Sequence, residues 1–275
     1  MYDFLRTDKV RLPSFSTTQT IIDGINLDET LKGYRTLAVR GREINSRNIQ
    51  VHDKNSYINS TNPILDGAIL LGSNIPAKNI LVDYQVSTKN YKDQTELYEL
   101  LNYYINKPLV KLIFTDDLKY FYTGTLANMG EIETSLEHKG EMEFAIHDPY
   151  KYSNEIFIEK FAGSGEIKRS MLYPVALEWI EIKSKANTDK LIIKNDSTGK
   201  RIIIDSNITS TDRIKIYFKE FLVEQNRKEN INAKMDITSD YEDFEINTGD
   251  VISTNIDADI EISYRERKLW FIYLI

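Results

Sequence analysis

Apolar residues recur at every second position over many short stretches of this chain. Ile80, Val82, Tyr84 and Val86 alternate with Leu81, Asp83 and Gln85. Met142, Phe144 and Ile146 alternate with Glu141, Glu143, Ala145 and His147. A period of two sends successive side chains to opposite faces, so each stretch reads as a strand with one buried and one wet face. Residues 109–114 and 120–126 form a further pair around the turn residues Asp116 and Asp117. In the second half, strands are expected over 175–182, 191–195, 201–205, 213–218, 250–254 and 256–264. Turn chemistry separates several of them, as in Asn195-Asp196-Ser197-Thr198-Gly199 and Asn247-Thr248-Gly249-Asp250. Short strands with regular turns imply a mainly β protein of sandwich or barrel type.

One segment departs from this pattern. In residues 93–105, Leu97, Leu100, Leu101 and Tyr104 stand at i, i+3, i+4 and i+7, the apolar stripe of an amphipathic helix. Asp93 is the expected N-cap with Glu96 three residues on, and Pro108 stops the helix from continuing.

At 275 residues the chain has room for two domains. The expected division falls at Asp148-Pro149-Tyr150-Lys151-Tyr152, where alternation stops and a proline removes a ladder donor. It gives a β domain with one helix over 1–150 and a β-sandwich over 151–275. Residues 45–79 are rich in Asn and Ser with little periodicity, and a loop of that length is usually functional or ordered by a partner. Gly163-Ser164-Gly165 reads as a flexible turn. Residues 269–275 are apolar to the last position, so they are expected to pair within the protomer as a final strand.

The composition excludes several kinds of chemistry. Without cysteine there are no thiolate nucleophiles, thiolate zinc sites or disulfides. No apolar stretch is long enough for a membrane helix, and the N-terminus lacks the pattern of a secretion signal. Residues 1–150 carry 16 basic and 20 acidic side chains and the rest 19 and 22, so neither half is built to grip nucleic acid. His52, His138 and His147 have no metal-ligand spacing and read as surface or structural residues. No nucleophile elbow or phosphate loop is present. The acidic segment with Asp236, Asp240, Glu242, Asp243 and Glu245 does not match a calcium loop, and Asp257, Asp259 and Glu261 read as a solvated strand face. No catalytic, metal or cofactor site is expected. The 17 tyrosines, several near the helix, suit core packing first, subunit contact second and sugar stacking third.

The ordered set of features resembles the distal tail protein family of siphophages and prophages of Gram-positive bacteria. The pieces that carry it are residues 34–43 ending in Gly41-Arg42-Glu43, Asp66-Gly67 with the strand at 80–86, and the helix with Glu96, Leu97, Leu100 and Leu101. Tyr122-Thr123-Gly124, Gly140-Glu141-Met142-Glu143-Phe144 and Asp148-Pro149-Tyr150-Lys151-Tyr152 follow in order. In the second half, residues 243–250 resemble a late strand and turn, without the proline expected before Gly249. The resemblance implies a galectin-like second domain and no enzymatic activity. It also implies a homo-hexameric ring at the virion tail tip, made in the host cytoplasm without a signal peptide. The expected partners are the tail tube protein, the tape-measure protein, a tail-associated lysin or fibre protein and, in some phages, a receptor-binding protein. DNA would only pass through the channel, and no membrane is involved. Candidate subunit contacts are Arg40, Arg42, Tyr57, Ile69, Leu70, Leu71 and Tyr98, with residues 45–79 as an arm around the neighbour. Asp148, Pro149, Tyr150 and Tyr152 form the domain junction.

Two other readings compete. A cell-wall carbohydrate-binding protein would use the second domain, but Trp179 and Trp270 both sit in apolar runs that read as buried. A glycosidase would need a carboxylate pair, and nothing in the sequence singles one out.

Overall fold

The computed structural model describes residues 18–43, 45–53, 67–130 and 135–269. The chain divides into two compact units, the first running to Lys151 and the second spanning Tyr152–Lys268. Leu269 counts with the first unit, whereas a single cut at residue 150 assigns it to the second. Its carbonyl accepts a 3.2 Å hydrogen bond from the Asn45 amide side chain.

The first unit contains β1 (Thr20–Ile22), β2 (Ile25–Asn26), α1 (Leu27–Thr30), β3 (Tyr34–Arg40), β4 (Asn48–Asp53), β5 (Ala68–Asn74), β6 (Lys78–Ser87), α2 (Tyr91–Ile105), β7 (Val110–Phe114), β8 (Tyr120–Asn128) and β9 (Glu137–Ile146). β10 (Lys151–Ser153) spans the change of unit. An antiparallel sheet runs in the order β2-β1-β7-β8-β9-β6-β3, while β4 and β5 form a separate two-stranded ribbon. The alternating residues of β6 and β9 bury Ile80, Val82, Tyr84, Met142 and Phe144 in one core with α2.

β1 and β3 are not neighbours in the sheet, and α1 ties them together. One carboxylate oxygen of Asp28 accepts the Thr36 backbone N–H at 2.7 Å. The other accepts the Thr36 hydroxyl at 2.7 Å and the Thr20 backbone N–H at 3.3 Å. Two α-helices are therefore present among the described residues, where periodicity pointed to one: α1 is a single turn, too short for a periodic signal.

α2 begins earlier than its apolar pattern implies. The N-cap is Asn90 rather than Asp93, its side-chain oxygen accepting the Asp93 backbone N–H at 2.9 Å. The buried residues are Gln94, Leu97, Leu101 and Ile105. Leu100, placed in the buried stripe by its spacing, is instead 46% exposed.

The second unit contains β11 (Phe157–Ala162), β12 (Ser164–Glu166), β13 (Val175–Ser184), β14 (Leu191–Asn195), β15 (Arg201–Ile204), β16 (Arg213–Tyr217), β17 (Leu222–Gln225), β18 (Glu229–Asn230), β19 (Glu245–Ile246), β20 (Val251–Thr254), β21 (Ala258–Tyr264) and β22 (Arg267–Lys268). Its ladder runs β15-β14-β20-β12-β11-β21-β13-β16-β17-β18. Ile193, Ile202 and Ile252 from one end of the ladder share a core with Ile182, Ile216 and Ile262 from the other. The ladder therefore folds over itself as a β-sandwich, its two inner faces enclosing one apolar layer. The β11–β12 hairpin is the corner, because β11 pairs with β21 and β12 with β20. Gly163 alone makes this tight turn, with φ +79, and the Ser164 and Gly165 of the expected flexible turn belong to β12.

Asn195 and Asp250 lie buried in this unit. The Asn195 amide donates to an Asp250 carboxylate oxygen at 2.8 Å, and the same oxygen accepts the Asn247 backbone N–H at 2.9 Å. This carboxylate organises the Asn247–Asp250 turn, with Gly249 at φ +83.

Candidate assembly surface

Residue types able to do chemistry are dispersed rather than gathered. Among the described residues, no three His, Asp or Glu side chains meet at metal-binding distance. The carboxylates of β21 are ion-paired across the sheet, Glu261 with Lys160 at 2.9 Å and Asp259 with Lys185. In the acidic segment, Asp240 and Asp243 share Lys200 at 3.2 and 3.3 Å. His138 is buried and bonds through Nε2 to the Tyr98 hydroxyl, while His147 lies 3.2 Å from the Thr125 hydroxyl. The Lys215 ammonium sits 3.8 Å from the centre of the half-buried Trp179 ring. Trp270 lies outside the described residues.

The feature that departs from an ordinary soluble surface is the β4–β5 ribbon. Ile49, Val51, Ile69, Leu70 and Leu71 are each 45% to 63% exposed. Val51 stands opposite Leu70 and His52 opposite Ile69, with a bulge at Gln50/Val51. The ribbon pairs with no other strand among the described residues. A two-stranded ribbon is marginal by itself in water, and this one carries aliphatic side chains on both faces, Ile69 and Leu71 on one and Leu70 with Val51 on the other, the kind of exposed apolar surface that marks an interaction site.

The expected contact residues fall into two groups. Ile69, Leu70 and Leu71 lie on this ribbon, free of apolar cover. Arg40, Arg42 and Tyr98 are engaged within their own unit. The Arg40 guanidinium bonds Asp83 at 2.7 and 3.0 Å and Glu141 at 2.6 Å. Arg42 grips Asp116 through two bonds of 2.8 and 2.7 Å and lies 4.7 Å from the centre of the Phe114 ring. Burial disfavours the Arg42 charge, but Asp116 outweighs it and holds the guanidinium above its ordinary pKa. Gly41, between the two arginines, has φ +86, and a Cβ there would fall 2.2 Å from the Asn79 carbonyl oxygen. Glycine is what lets this turn press against β6 and aim the two arginines at their partners. Tyr57 lies outside the described residues.

At the junction, the Asp148 carboxylate accepts the Tyr150 backbone N–H at 3.0 Å, an Asx turn around Pro149. The change of unit falls between Lys151 and Tyr152. Sequence reasoning missed Ile49 and Val51, because residues 45–79 show no period to place them on a strand. Their signal was apolar side chains within an otherwise polar loop.

Residues 174–267 match the family model of the siphovirus-type tail component, C-terminal domain. No curated protein matches the sequence. Among solved structures, the SPP1 Dit protein, described as a paradigm of the hub adsorption apparatus in phages infecting Gram-positive bacteria, shares the fold. Its TM-score is 0.72 at 17% identity, over 92% of this chain and 100% of that one. A chain of the phage P2 baseplate in its activated conformation with Ca gives a TM-score of 0.55 at 13% identity, over 93% of this chain and 100% of that one. The matching Sr structure gives 0.54 at 13% identity with the same coverage. Residues 174–267 thus match the C-terminal domain of the siphovirus-type tail component family, and nearly the whole chain shares the fold of the SPP1 Dit protein.

Proposed function

We propose that this chain is the structural hub of a siphophage tail tip, six copies closing into a ring through their first units. In this reading the second units are docking points outside the ring. The ring joins the tail tube and the end of the tape-measure protein to the tail-associated lysin or fibre protein, and in some phages to a receptor-binding protein. DNA passes through the ring without being held, and the protein carries out no catalysis.

The observation that carries this reading is the β4–β5 ribbon, an apolar element exposed in the isolated chain. Burying aliphatic area gives about 25 cal/mol per Å², so a partner has much to gain there. The fold shared with a hub protein and a baseplate chain supports the same role. Light scattering of the full chain over a range of concentrations, with negative-stain images, tests it. Six-fold rings are expected, and a monomer at every concentration without ring particles would overturn the ring.

A further inference from the structure

We propose that the outer stripe of α2 is the receiving surface for the β4–β5 ribbon of the next copy in the ring. The inference rests on the ring reading above and assigns the second half of its contact.

A ring of identical copies closes through a heterologous contact, in which two different patches of one chain meet on neighbouring copies. The ribbon is one patch. Outside it, the exposed large apolar residues among the described residues of the first unit are Ile25, Tyr91, Leu100, Tyr103, Leu109 and Leu118. Four of these six lie on α2 or just past its end. Leu100 and Tyr103 are one turn apart and 46% and 72% exposed, and Leu109 beyond the helix is 52% exposed. Their own core leaves them out, because Gln94, Leu97, Leu101 and Ile105 fill the inward face.

The charge pattern is compatible with this pairing. On the outer face of α2, Glu96 lies one turn before Leu100 and Glu99 one turn before Tyr103, with the Lys92 ammonium 3.8 Å from Glu96. β4 and β5 hold a single carboxylate in their sequence, Asp53, at one end, and none among the aliphatic rows. The ribbon can therefore lie on the stripe without setting carboxylates against each other. Edge-to-edge strand addition would satisfy the ribbon's backbone but leave its aliphatic side chains in water.

The cysteine-free sequence makes the test direct. The double variant Leu70→Cys/Tyr103→Cys is oxidised as the full chain under ring-forming conditions and run on a non-reducing gel. A ladder of covalent oligomers up to the ring's size is expected, with each single variant at least five-fold less cross-linked. Dimers from Leu70→Cys alone would mean that ribbon meets ribbon, and a fast-migrating monomer that the ribbon folds onto its own helix. Either result overturns the proposal. Tyr103→Glu provides a second readout: ring loss with an unchanged melting temperature is expected, and intact rings would overturn the assignment. Rings imaged without the mixed cross-link sink this contact alone. Absence of rings from the unsubstituted protein sinks the ring reading with it.

Discussion

Lys78 is a lysine whose nitrogen has no hydrogen-bond partner and almost no contact with water. It sits 4.9 Å from the centre of the Tyr122 ring. Burial, with the Lys151 and Arg42 charges nearby, pushes its pKa down to about 8. An unfolded lysine titrates near 10.4, so between these values the unfolded chain binds more protons than the folded one. The cost of the buried charge is therefore full below about pH 8 and fades as pH rises towards 10.4. Lys78→Met should stabilise the protein at pH 7 by about 1–2 kcal/mol, after discounting for partial exposure. Urea unfolding at pH 7 and pH 10 checks this, and the gain should shrink at the higher pH. A variant less stable at pH 7 would mean that the Tyr122 contact outweighs desolvation. Tyr98 poses a related question, since the sequence offered it as a subunit contact while its hydroxyl meets the buried His138. Tyr98→Phe leaves that imidazole short of a partner and should cost about 1–2 kcal/mol in the unassembled protein. Unchanged stability with weakened assembly would return Tyr98 to the interface. Neither environment was legible in the sequence, because burial of a single polar atom depends on elements far apart along the chain.

At the level of elements, legibility followed burial. β6 and β9 were readable because one face of each is packed against α2 and the other meets water, which writes a clean period of two. β4 and β5 were not, because among the described residues no face of the ribbon is buried and nothing forces alternation. β11 was missed for a similar reason: Phe157 and Phe161 lean on the core while Ile158 is exposed, so both faces carry apolar residues. The start of α2 was set by Asn90, whose side chain also donates to Asp93 at 3.1 Å, and the apolar stripe begins only after that cap. α1 matters through one carboxylate. Removing Asp28 deletes three hydrogen bonds between two strands that share no ladder. Asp28→Ala should lower stability by about 3 kcal/mol, at roughly 1 kcal/mol per bond. Thermal unfolding measures it, and a loss under 1 kcal/mol would mean that the β1–β3 seam holds without α1.

For the whole molecule, the question is which force closes the assembly. Arg40 and Arg42 were among the subunit contacts expected from the sequence, and a contact through them would be charge-driven. Both guanidinium groups already have carboxylate partners inside their own unit, and recruiting them would break bonds to Asp83, Glu141 and Asp116. Among the described residues of the first unit, exposed apolar side chains gather on the ribbon and on and just past α2. Two laws of dependence separate the alternatives. Ion pairs at a surface are screened once the Debye length falls from about 10 Å at 0.1 M salt to about 3 Å at 1 M. Apolar burial survives added salt but weakens on cooling, because it is entropic near room temperature. Rings held by the ribbon should therefore keep their mass between 0.1 and 1 M NaCl and dissociate more readily at 5 °C than at 25 °C. Analytical ultracentrifugation at fixed protein concentration reads both. Dissociation by salt with no response to cooling would move the contact from the ribbon to the arginines of the Gly41 turn.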